Sequence, residues 1–160
     1  HARQAILDAD LVVVAPGLLY GSLAPALLVR GVTRALAETK AKKVYVCNLV
    51  TKPTQTDGFT VADFVDEIER FAGVSMDYVL YNNYRPPQEL LDKYAHNGEY
   101  LVEWDEAELK KKHYYASGKH LIAHGIRQHN KKADPLAALR SLIRHDSDKI
   151  ARELMRIYFS

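Results

Sequence analysis

The chain has 160 residues, of which 48% are hydrophobic and 26% charged, with 22 Lys and Arg against 20 Asp and Glu. This composition is typical of one globular domain and excludes a disordered or fibrous chain. The formal net charge is +2 with both signs interspersed, so we expect no nucleic-acid partner and no membrane partner. A single cysteine excludes an internal disulfide and favours the cytoplasm, and no apolar run reaches the roughly 20 residues of a membrane-spanning helix.

Three short apolar runs in the first half of the chain are typical of buried parallel strands. They cover residues 10–14, 43–47 and 77–81. Between the first two, leucines and valines at helical spacing predict a helix over 23–40, although Gly31 weakens its middle. A strand, a helix and a strand in succession form a βαβ unit, and its crossover is expected to be right-handed.

Two further helices carry clear start and stop signals. Thr60 and Asp63 nearly match a capping box ahead of an apolar helical stripe, and Gly73 stands where that helix should end. A helix over 87–97 begins with a proline and is followed by Gly98. The alternation of strands and helices predicts an α/β fold, with a parallel sheet covered by helices on both faces.

The second half of the chain is less regular. We predict a strand over 100–102, a charged helix over 106–112, a strand over 119–126, a polar loop over 127–134 and helices over 135–143 and 146–159. The chain is thus interpreted as one α/β domain or half-domain. It has regular βα units over 1–98, an irregular part over 99–134 and C-terminal helices over 135–160.

The loops that follow parallel strands meet at one edge of the sheet, where doubly wound folds bind their ligands. We therefore expect the segments around Tyr20, around Thr51 and around Asn83 to converge on a common rim. The first loop contains Pro16, Gly17, Tyr20 and Ser22, and it leads into a helix whose N-terminal amides suit a phosphate. The same glycines also suit an ordinary turn, and no dinucleotide or P-loop pattern is present.

The second loop, over 48–58, is longer than the roughly two to six residues usual for a βα connection. Asn48, Thr51 and Thr54 offer it neutral donors and acceptors that suit a sugar, a base edge or a phosphate. A solvated loop that caps the following helix is an equally good interpretation. Asn82 and Asn83 end the third strand, where they can contact the same ligand or serve a local turn.

Other polar residues give weaker signals. Arg144 stands just before a predicted helix N-terminus, a combination that suits a diphosphate, although a plain capped helix is favoured on pattern alone. His120 and His124 are four residues apart, but no carboxylate completes a zinc motif, so we predict no metal site. No nucleophile elbow surrounds Ser22, and we predict no catalytic residue. Cys47 is interpreted as a buried packing residue.

Three segments together resemble one known family. Residues 9–32 read ADLVVVAPGLLYGSLAPALLVRGV, residues 46–60 read VCNLVTKPTQTDGFT, and residues 144–146 read RHD. They are similar, in the same order, to the GPGSLYTS…P.LLV.GI segment, the VCNLMTQPGETDGYT loop and the C-terminal RHD of the gluconeogenesis factors. This is the YvcK type, which is related to the CofD protein 2-phospho-L-lactate transferase.

The resemblance implies a Rossmann-like α/β protein of which this chain is the C-terminal half. Family members are longer and open with a glycine-rich nucleotide loop that is absent here, and a first residue His1 instead of Met agrees with a fragment. Gluconeogenesis factors are cytoplasmic bacterial proteins needed for cell shape and for growth on gluconeogenic carbon sources. They bind UDP-sugars such as UDP-N-acetylglucosamine, and a homo-oligomer is also expected.

The resemblance also implies roles for individual residues. Arg144 matches the UDP-sugar arginine of the family, and Ser147 occupies the position of a regulatory phosphorylated threonine. Tyr94 or Tyr100 is expected to supply a companion aromatic ring. In this chain Gln55 replaces the glutamate of the second loop, a carboxylate that could have served a metal or a base, so binding is favoured over catalysis.

The sequence leaves three hypotheses. The first is a regulatory protein that binds a nucleotide sugar at the rim and needs no reaction or cofactor. The second is a Mg²⁺-dependent phospholactyl-type transferase acting on a deazaflavin acceptor, in which Asn48 and Thr51 position the donor. The third is a half-domain that binds no small molecule and associates with a partner or with its own copy, which an exposed apolar sheet edge would favour.

Overall fold

The computed structural model describes residues 1–123 and 142–160. Four parallel strands form one sheet in the order β1-β2-β3-β4. They are β1 (Leu11–Val14), β2 (Lys42–Val46), β3 (Tyr78–Asn82) and β4 (Tyr115–Lys119). In the register of this sheet, Val14 lies opposite Tyr45, Val46 opposite Leu80 and Tyr81 opposite Gly118. The predicted parallel α/β sheet is confirmed.

Helices connect the strands and follow the last of them. They are α1 (Ala2–Asp8), α2 (Ala24–Leu27), α3 (Val32–Glu38), α4 (Val61–Ala72), α5 (Gln88–Ala95), α6 (Glu106–Leu109) and α7 (Ser147–Phe159), with a π-helical turn at Leu19–Leu23 before α2. Among the described residues, no helix combines the length and the apolar character that crossing a bilayer requires.

The caps predicted for α4 are present. The backbone amide of Asp63 donates to Thr60 Oγ1 at 3.3 Å, and the amide of Thr60 donates to Asp63 Oδ2 at 2.8 Å. Gly73 ends the helix in the left-handed region, with φ of 68°. A capping box satisfies two amides that the first helical turn leaves without partners, which explains why this helix begins where the sequence placed it.

One predicted helix is divided in the structure. The segment predicted as a single helix over 23–40 forms α2 and α3, with Gly31 between them at φ of 90°. The left-handed backbone at Gly31 cannot continue a right-handed helix, and it turns the chain before α3 begins.

The strand predicted over 119–126 was placed too late in the sequence. β4 ends at Lys119, and Leu121 instead packs in a buried cluster with Val46 and Leu80. Ile122 makes one isolated antiparallel bridge with His145. The apolar character of Leu121 and Ile122 therefore reflects burial beyond the end of the sheet.

Three other predictions differ in detail. The strand predicted over 100–102 is reduced to isolated bridges, one of which joins Val50 and Leu101. The helix predicted over 106–112 ends at Leu109. The predicted loop over 127–134 and residues 135–141 of the next predicted helix lie outside the described residues, while Leu142 and Ile143 form a bend.

Helices cover both faces of the sheet, as predicted. On one face, Tyr45 and Val79 are fully buried against α4 residues such as Phe64. On the opposite face, Val46 and Leu80 pack with Leu121 and with two residues of α7, Ile150 and Leu154. Successive residues of a strand point to opposite faces, so each of the inner strands contributes to two cores.

The end of α7 is fastened to the start of β2. Lys42 Nζ donates to the carbonyl of Ile157 at 2.9 Å and to Ser160 Oγ at 3.3 Å. Ser160 Oγ also lies 3.3 Å from the hydroxyl of Tyr78. An ammonium group at the C-terminal end of a helix meets its exposed carbonyls and the negative end of its dipole, so this contact stabilises the docked helix.

Candidate functional site

The loops after β1 and β2 are joined by a side-chain amide. Asn48 Nδ2 donates to the carbonyl of Gly17 at 2.8 Å, and the Tyr45 hydroxyl donates to Asn48 Oδ1 at 3.3 Å. Both ends of the amide are thus used within the protein. We call Gly17, Asn48, Asn82 and residues 144–146 the carboxyl rim, because they lie together beyond the carboxyl ends of the strands.

The RHD segment reaches the same rim. His145 Nε2 lies 3.1 Å from the carbonyl of Cys47, the last residue before Asn48. The segment runs antiparallel to 121–123, with the Ala123 amide donating to Arg144 O at 3.0 Å and the Asp146 amide donating to Leu121 O at 2.7 Å. Burial lowers the pKa of His145, although its bond to Cys47 opposes this, so the neutral ring donates its Nε2 proton to the carbonyl.

Asp146 begins α7. Its Oδ1 accepts from the backbone amides of Asp148 and Lys149, each at 3.1 Å. The hydrogen bond from Lys149, followed by the charges of Lys149 and Arg152, lowers the pKa of this exposed carboxyl group. The N-cap predicted at Asp146 is confirmed.

Asn82 ties the end of β3 to the segment beyond β4. It is only 6% exposed, its Oδ1 accepts from the Leu121 amide at 3.1 Å, and its Nδ2 donates to Tyr84 O at 2.7 Å. Asn83 is exposed, and its backbone amide donates to Lys119 O at 3.0 Å. Asn82 therefore shapes the rim, while the side chain of Asn83 faces outward.

Within the second loop, Thr51 is buried and Thr54 is exposed. Thr51 is 2% exposed, its Oγ1 accepts from the Tyr100 amide at 3.1 Å, and its own amide donates to Tyr100 O at 2.7 Å. Thr54 has a φ of 64°, which is a strained conformation for a β-branched residue. Thr51 fixes the loop, and Thr54 is the threonine that it presents outward.

The first loop is held against α4. Tyr20 lies in the π-helical turn, where its hydroxyl donates to Glu67 Oε2 at 3.1 Å and its ring meets Phe71 edge-on at 6.0 Å. Ser22 is exposed two residues later, and Pro16 is half-buried. The loop thus emerges at the predicted edge, but its tyrosine packs on the helix.

Tyr94 and Tyr100 occupy different environments. Tyr94 is buried in a cluster with Leu49, and its hydroxyl accepts from the Ile143 amide at 2.7 Å. Tyr94 thereby positions the residue directly before Arg144. Tyr100 is 55% exposed. Ser147, the predicted regulatory residue, is exposed as the first residue of α7.

His145 is the functional candidate that the sequence reasoning quoted without assigning it a role. Its bond to Cys47 O spans 98 positions of the sequence. The RHD segment was the one available signal, because spacing alone does not show which carbonyl a distant histidine meets. In residues 1–123 and 142–160, no group of three or more His, Cys, Asp or Glu side chains is arranged to hold a metal ion. His124 lies outside that part of the chain.

Comparisons with known proteins agree with this architecture. The family model described as 2-phospho-L-lactate transferase CofD matches residues 1–122. The gluconeogenesis factor of Bacillus subtilis is 34% identical over 153 residues, which are 95% of this chain and 44% of that protein. A Thermotoga maritima protein of the gluconeogenesis-factor group is 38% identical over 154 residues, which are 96% of this chain and 46% of that protein.

A solved structure is similar over nearly the whole chain. The crystal structure of a UPF0052 family member from Bacillus halodurans superposes with a TM-score of 0.82 at 28% identity, over 96% of this chain and 45% of that one. The chain therefore spans less than half the length of the relatives that it matches.

Proposed function

Since the chain belongs to the CofD family and resembles gluconeogenesis factors along nearly all of its length, we propose that its carboxyl rim binds a nucleotide sugar. The resemblance nominates UDP-N-acetylglucosamine. The proposed role is regulatory binding connected with gluconeogenic growth, the cell wall and cell shape, and it requires no reaction.

The position of Arg144 is the observation that supports the proposal. Its neighbours are anchored, with His145 on Cys47 O and Asp146 on Leu121 O, and its side chain is partly exposed. Within the described residues, no carboxylate forms an ion pair with it. A guanidinium group held at a rim without a partner suits the bidentate recognition of a diphosphate.

The other candidate residues form two groups, according to whether their polar atoms are used within the protein or are accessible. In the proposal, residues whose polar atoms are used internally hold the rim in shape, and these are Asn48, Thr51, Asn82 and Tyr94. Residues with accessible polar groups contact the ligand, namely Pro16 and Gly17 through their backbone and Ser22, Thr54 and Asn83 through their side chains. Tyr20 is assigned to fixing the first loop on α4.

The test is calorimetric titration with UDP-N-acetylglucosamine of the chain and of its Arg144→Ala variant. We expect the variant to bind roughly 10- to 100-fold more weakly, because a hydrogen bond to a charged group contributes about 1.5–3 kcal/mol. Arg30→Ala is the matched control, since Arg30 is an exposed arginine in the turn between α2 and α3. Equal affinities of Arg144→Ala and the parent chain would contradict the proposal.

The name of the matching family model favours a second candidate, a Mg²⁺-dependent phospholactyl transferase. Asn48 and Thr51 do not fit the ion, because Mg²⁺ prefers carboxylate oxygens and their side-chain oxygens already accept hydrogen bonds from the protein. The carboxylate at the rim, Asp146, caps α7 through the amides of Asp148 and Lys149. Consumption of a deazaflavin acceptor in the presence of Mg²⁺ would establish the transferase and displace the first proposal.

The outer edge of β1 favours a third candidate, association with a partner segment or with a second copy. Val13 is 36% exposed within the apolar run Leu11–Val14, whereas all-parallel sheets are normally covered by other structure. Light scattering tests this candidate, because Val13→Lys would reduce the associated mass while the parent chain associates. A parent chain that is monomeric at every concentration and binds no partner would exclude it.

A further inference from the structure

A second site lies apart from Arg144, between α6 and the ends of β3 and β4. It is a cavity of about 430 Å³, which we call the α6 cavity, and this volume lies within the usual range for small-ligand pockets. Its polar lining consists of Tyr81, Asn83, Glu106 and Lys110. Of the residues that line it, only Asn83 also belongs to the proposed nucleotide-sugar site.

The hydroxyl of Tyr81 is the decisive feature of the cavity. Tyr81 is only 4% exposed, and its hydroxyl has no hydrogen-bond partner among the described residues. Tyr81 lines the cavity. A buried tyrosine normally finds a partner for its hydroxyl, so the missing partner points to a ligand or a water molecule.

Gly118 makes room for this tyrosine. A Cβ atom at Gly118 would lie 2.6 Å from the Tyr81 hydroxyl oxygen and 2.7 Å from the ring carbon that bears it. The ring therefore lies directly against the backbone of β4. Any side chain at position 118 would displace the hydroxyl, so the glycine fixes where the hydroxyl stands in the cavity.

The rest of the lining suits a neutral, hydroxylated ligand. Glu106 accepts hydrogen bonds, Lys110 donates them and the amide of Asn83 does both, while the two charged groups are of opposite sign. The ring of Tyr114 supplies an apolar wall on which C–H groups can pack. Hydroxyl groups both donate and accept, which matches this mixture better than a purely accepting or purely donating ligand does.

The surroundings disfavour an anion. Burial is the first cause that raises the pKa of Tyr114, and the charges of Asp66, Glu69 and Glu108 raise it further. Burial and the charge of Glu106 likewise raise the pKa of Tyr81, which keeps its hydroxyl protonated and able to donate. The charged side chains that raise these two pKa values are carboxylates, and a further negative charge in the cavity would meet them too, although Lys110 is present.

We propose that the α6 cavity binds a neutral, polyhydroxylated ring of monosaccharide size, with the Tyr81 hydroxyl donating to a ligand oxygen. The proposal does not depend on nucleotide-sugar binding at the rim. It concerns a free sugar ring, without the diphosphate that Arg144 would recognise.

The chain contains its own reporter for this site. Trp104 is the single tryptophan, and its ring lies 6.4 Å from the ring of Tyr81. Its emission can be followed during titration with the methyl glycosides of glucose, galactose, mannose and N-acetylglucosamine. We expect a saturable change with at least one of them and none with sodium phosphate at equal ionic strength.

Tyr81→Phe tests the hydroxyl itself. Because that hydroxyl has no partner within residues 1–123 and 142–160, we expect an unchanged melting temperature and roughly three- to tenfold weaker binding of the glycoside, the effect of one neutral hydrogen bond. Tyr158→Phe is the matched control, since Tyr158 is a partly exposed tyrosine of α7 that does not line the cavity, and its loss of a hydroxyl should leave glycoside affinity unchanged.

Three results would overturn the proposal. They are no saturable change with any of the glycosides, saturation by phosphate instead, and equal glycoside affinity of Tyr81→Phe and the parent chain. Arg144→Ala should leave glycoside binding intact, so failure of this proposal and failure of the nucleotide-sugar proposal can be told apart.

Discussion

The buried polar groups of the carboxyl rim and of the α6 cavity differ in their hydrogen bonding. At the rim, Asn82 uses both ends of its amide within the protein, and the Thr51 hydroxyl accepts from Tyr100. In the cavity, Tyr81 is equally buried, but its hydroxyl has no hydrogen-bond partner in the part of the chain that the structure describes. Some polar residues at strand ends therefore hold the fold together, and others remain available to a ligand. The residue type alone does not tell which role a polar residue has.

The largest expected effect on stability comes from a substitution at the rim. Asn82→Ala removes two hydrogen bonds, a buried one from the Leu121 amide and a part-buried one to the Tyr84 carbonyl. We expect a loss of about 2–4 kcal/mol in the free energy of unfolding, measured by urea denaturation, because each unsatisfied buried group costs roughly 1–3 kcal/mol. Asn83→Ala is the control, and a similar loss in both variants would show that the Asn82 amide has no special role.

A somewhat smaller effect is expected from filling the space beside Tyr81. Gly118→Ala places a methyl group 2.6 Å from the Tyr81 hydroxyl, so the ring must move. Overpacking of this kind costs about 1–3 kcal/mol of stability, and glycoside binding should be lost with it. Combining Gly118→Ala with Tyr81→Leu, which removes both the hydroxyl and the ring carbon 2.7 Å from the new methyl group, should cost less than the sum of the two single losses, whereas purely additive losses would contradict contact between the two residues.

The pH dependence of the free energy of unfolding tests the role of His145 at the rim. Burial lowers the pKa of His145, so the unfolded chain, with an ordinary value of about 6.5, takes up the proton first as the pH falls. The contribution of His145 is therefore fully present above that value and is lost as the pH falls through the lower pKa of the folded state. Urea denaturation between about pH 7 and pH 5 should show this decline, and His145→Asn should flatten it. An equal slope in the variant would assign the decline to other groups.

The smallest effect concerns a hydroxyl that serves neither region. The Tyr114 hydroxyl is completely enclosed, and none of the described residues forms a hydrogen bond with it. Tyr114→Phe should raise the free energy of unfolding by roughly 1 kcal/mol, because it removes an unsatisfied polar atom from the interior. Thermal denaturation measures the change, and a destabilised variant would show that the hydroxyl has a partner in solution.

The sequence predicted those parts of the fold whose signals are local. The caps at Thr60 and Gly73 place α4, and the apolar runs place β1, β2 and β3, because these patterns depend on residues only a few positions apart. The prediction placed the fourth strand too late, because a partly exposed edge strand such as Tyr115–Lys119 lacks an apolar run. Leu121 is apolar because it packs in a buried cluster beyond the end of that strand.

The candidate site was predictable only in outline. Parallel topology implies that the loops after β1, β2 and β3 share an edge, which the sheet confirms. Nothing in the spacing shows that Asn48 meets Gly17 or that His145 meets Cys47, since such pairings depend on the finished packing. Tyr81 gave no signal at all, because inside a strand it resembles an ordinary core residue.

The contact between Lys42 and the end of α7 has a consequence for how the chain folds during its synthesis. One face of the inner strands is covered by Ile150 and Leu154, and the helix is fastened only when Ile157 meets a lysine 115 positions earlier. A ribosome that has released β1 to β4 has therefore produced a sheet whose Val46 and Leu80 still lack the cover that α7 provides. We expect chaperones to engage that nascent intermediate before α7 emerges and closes over the sheet.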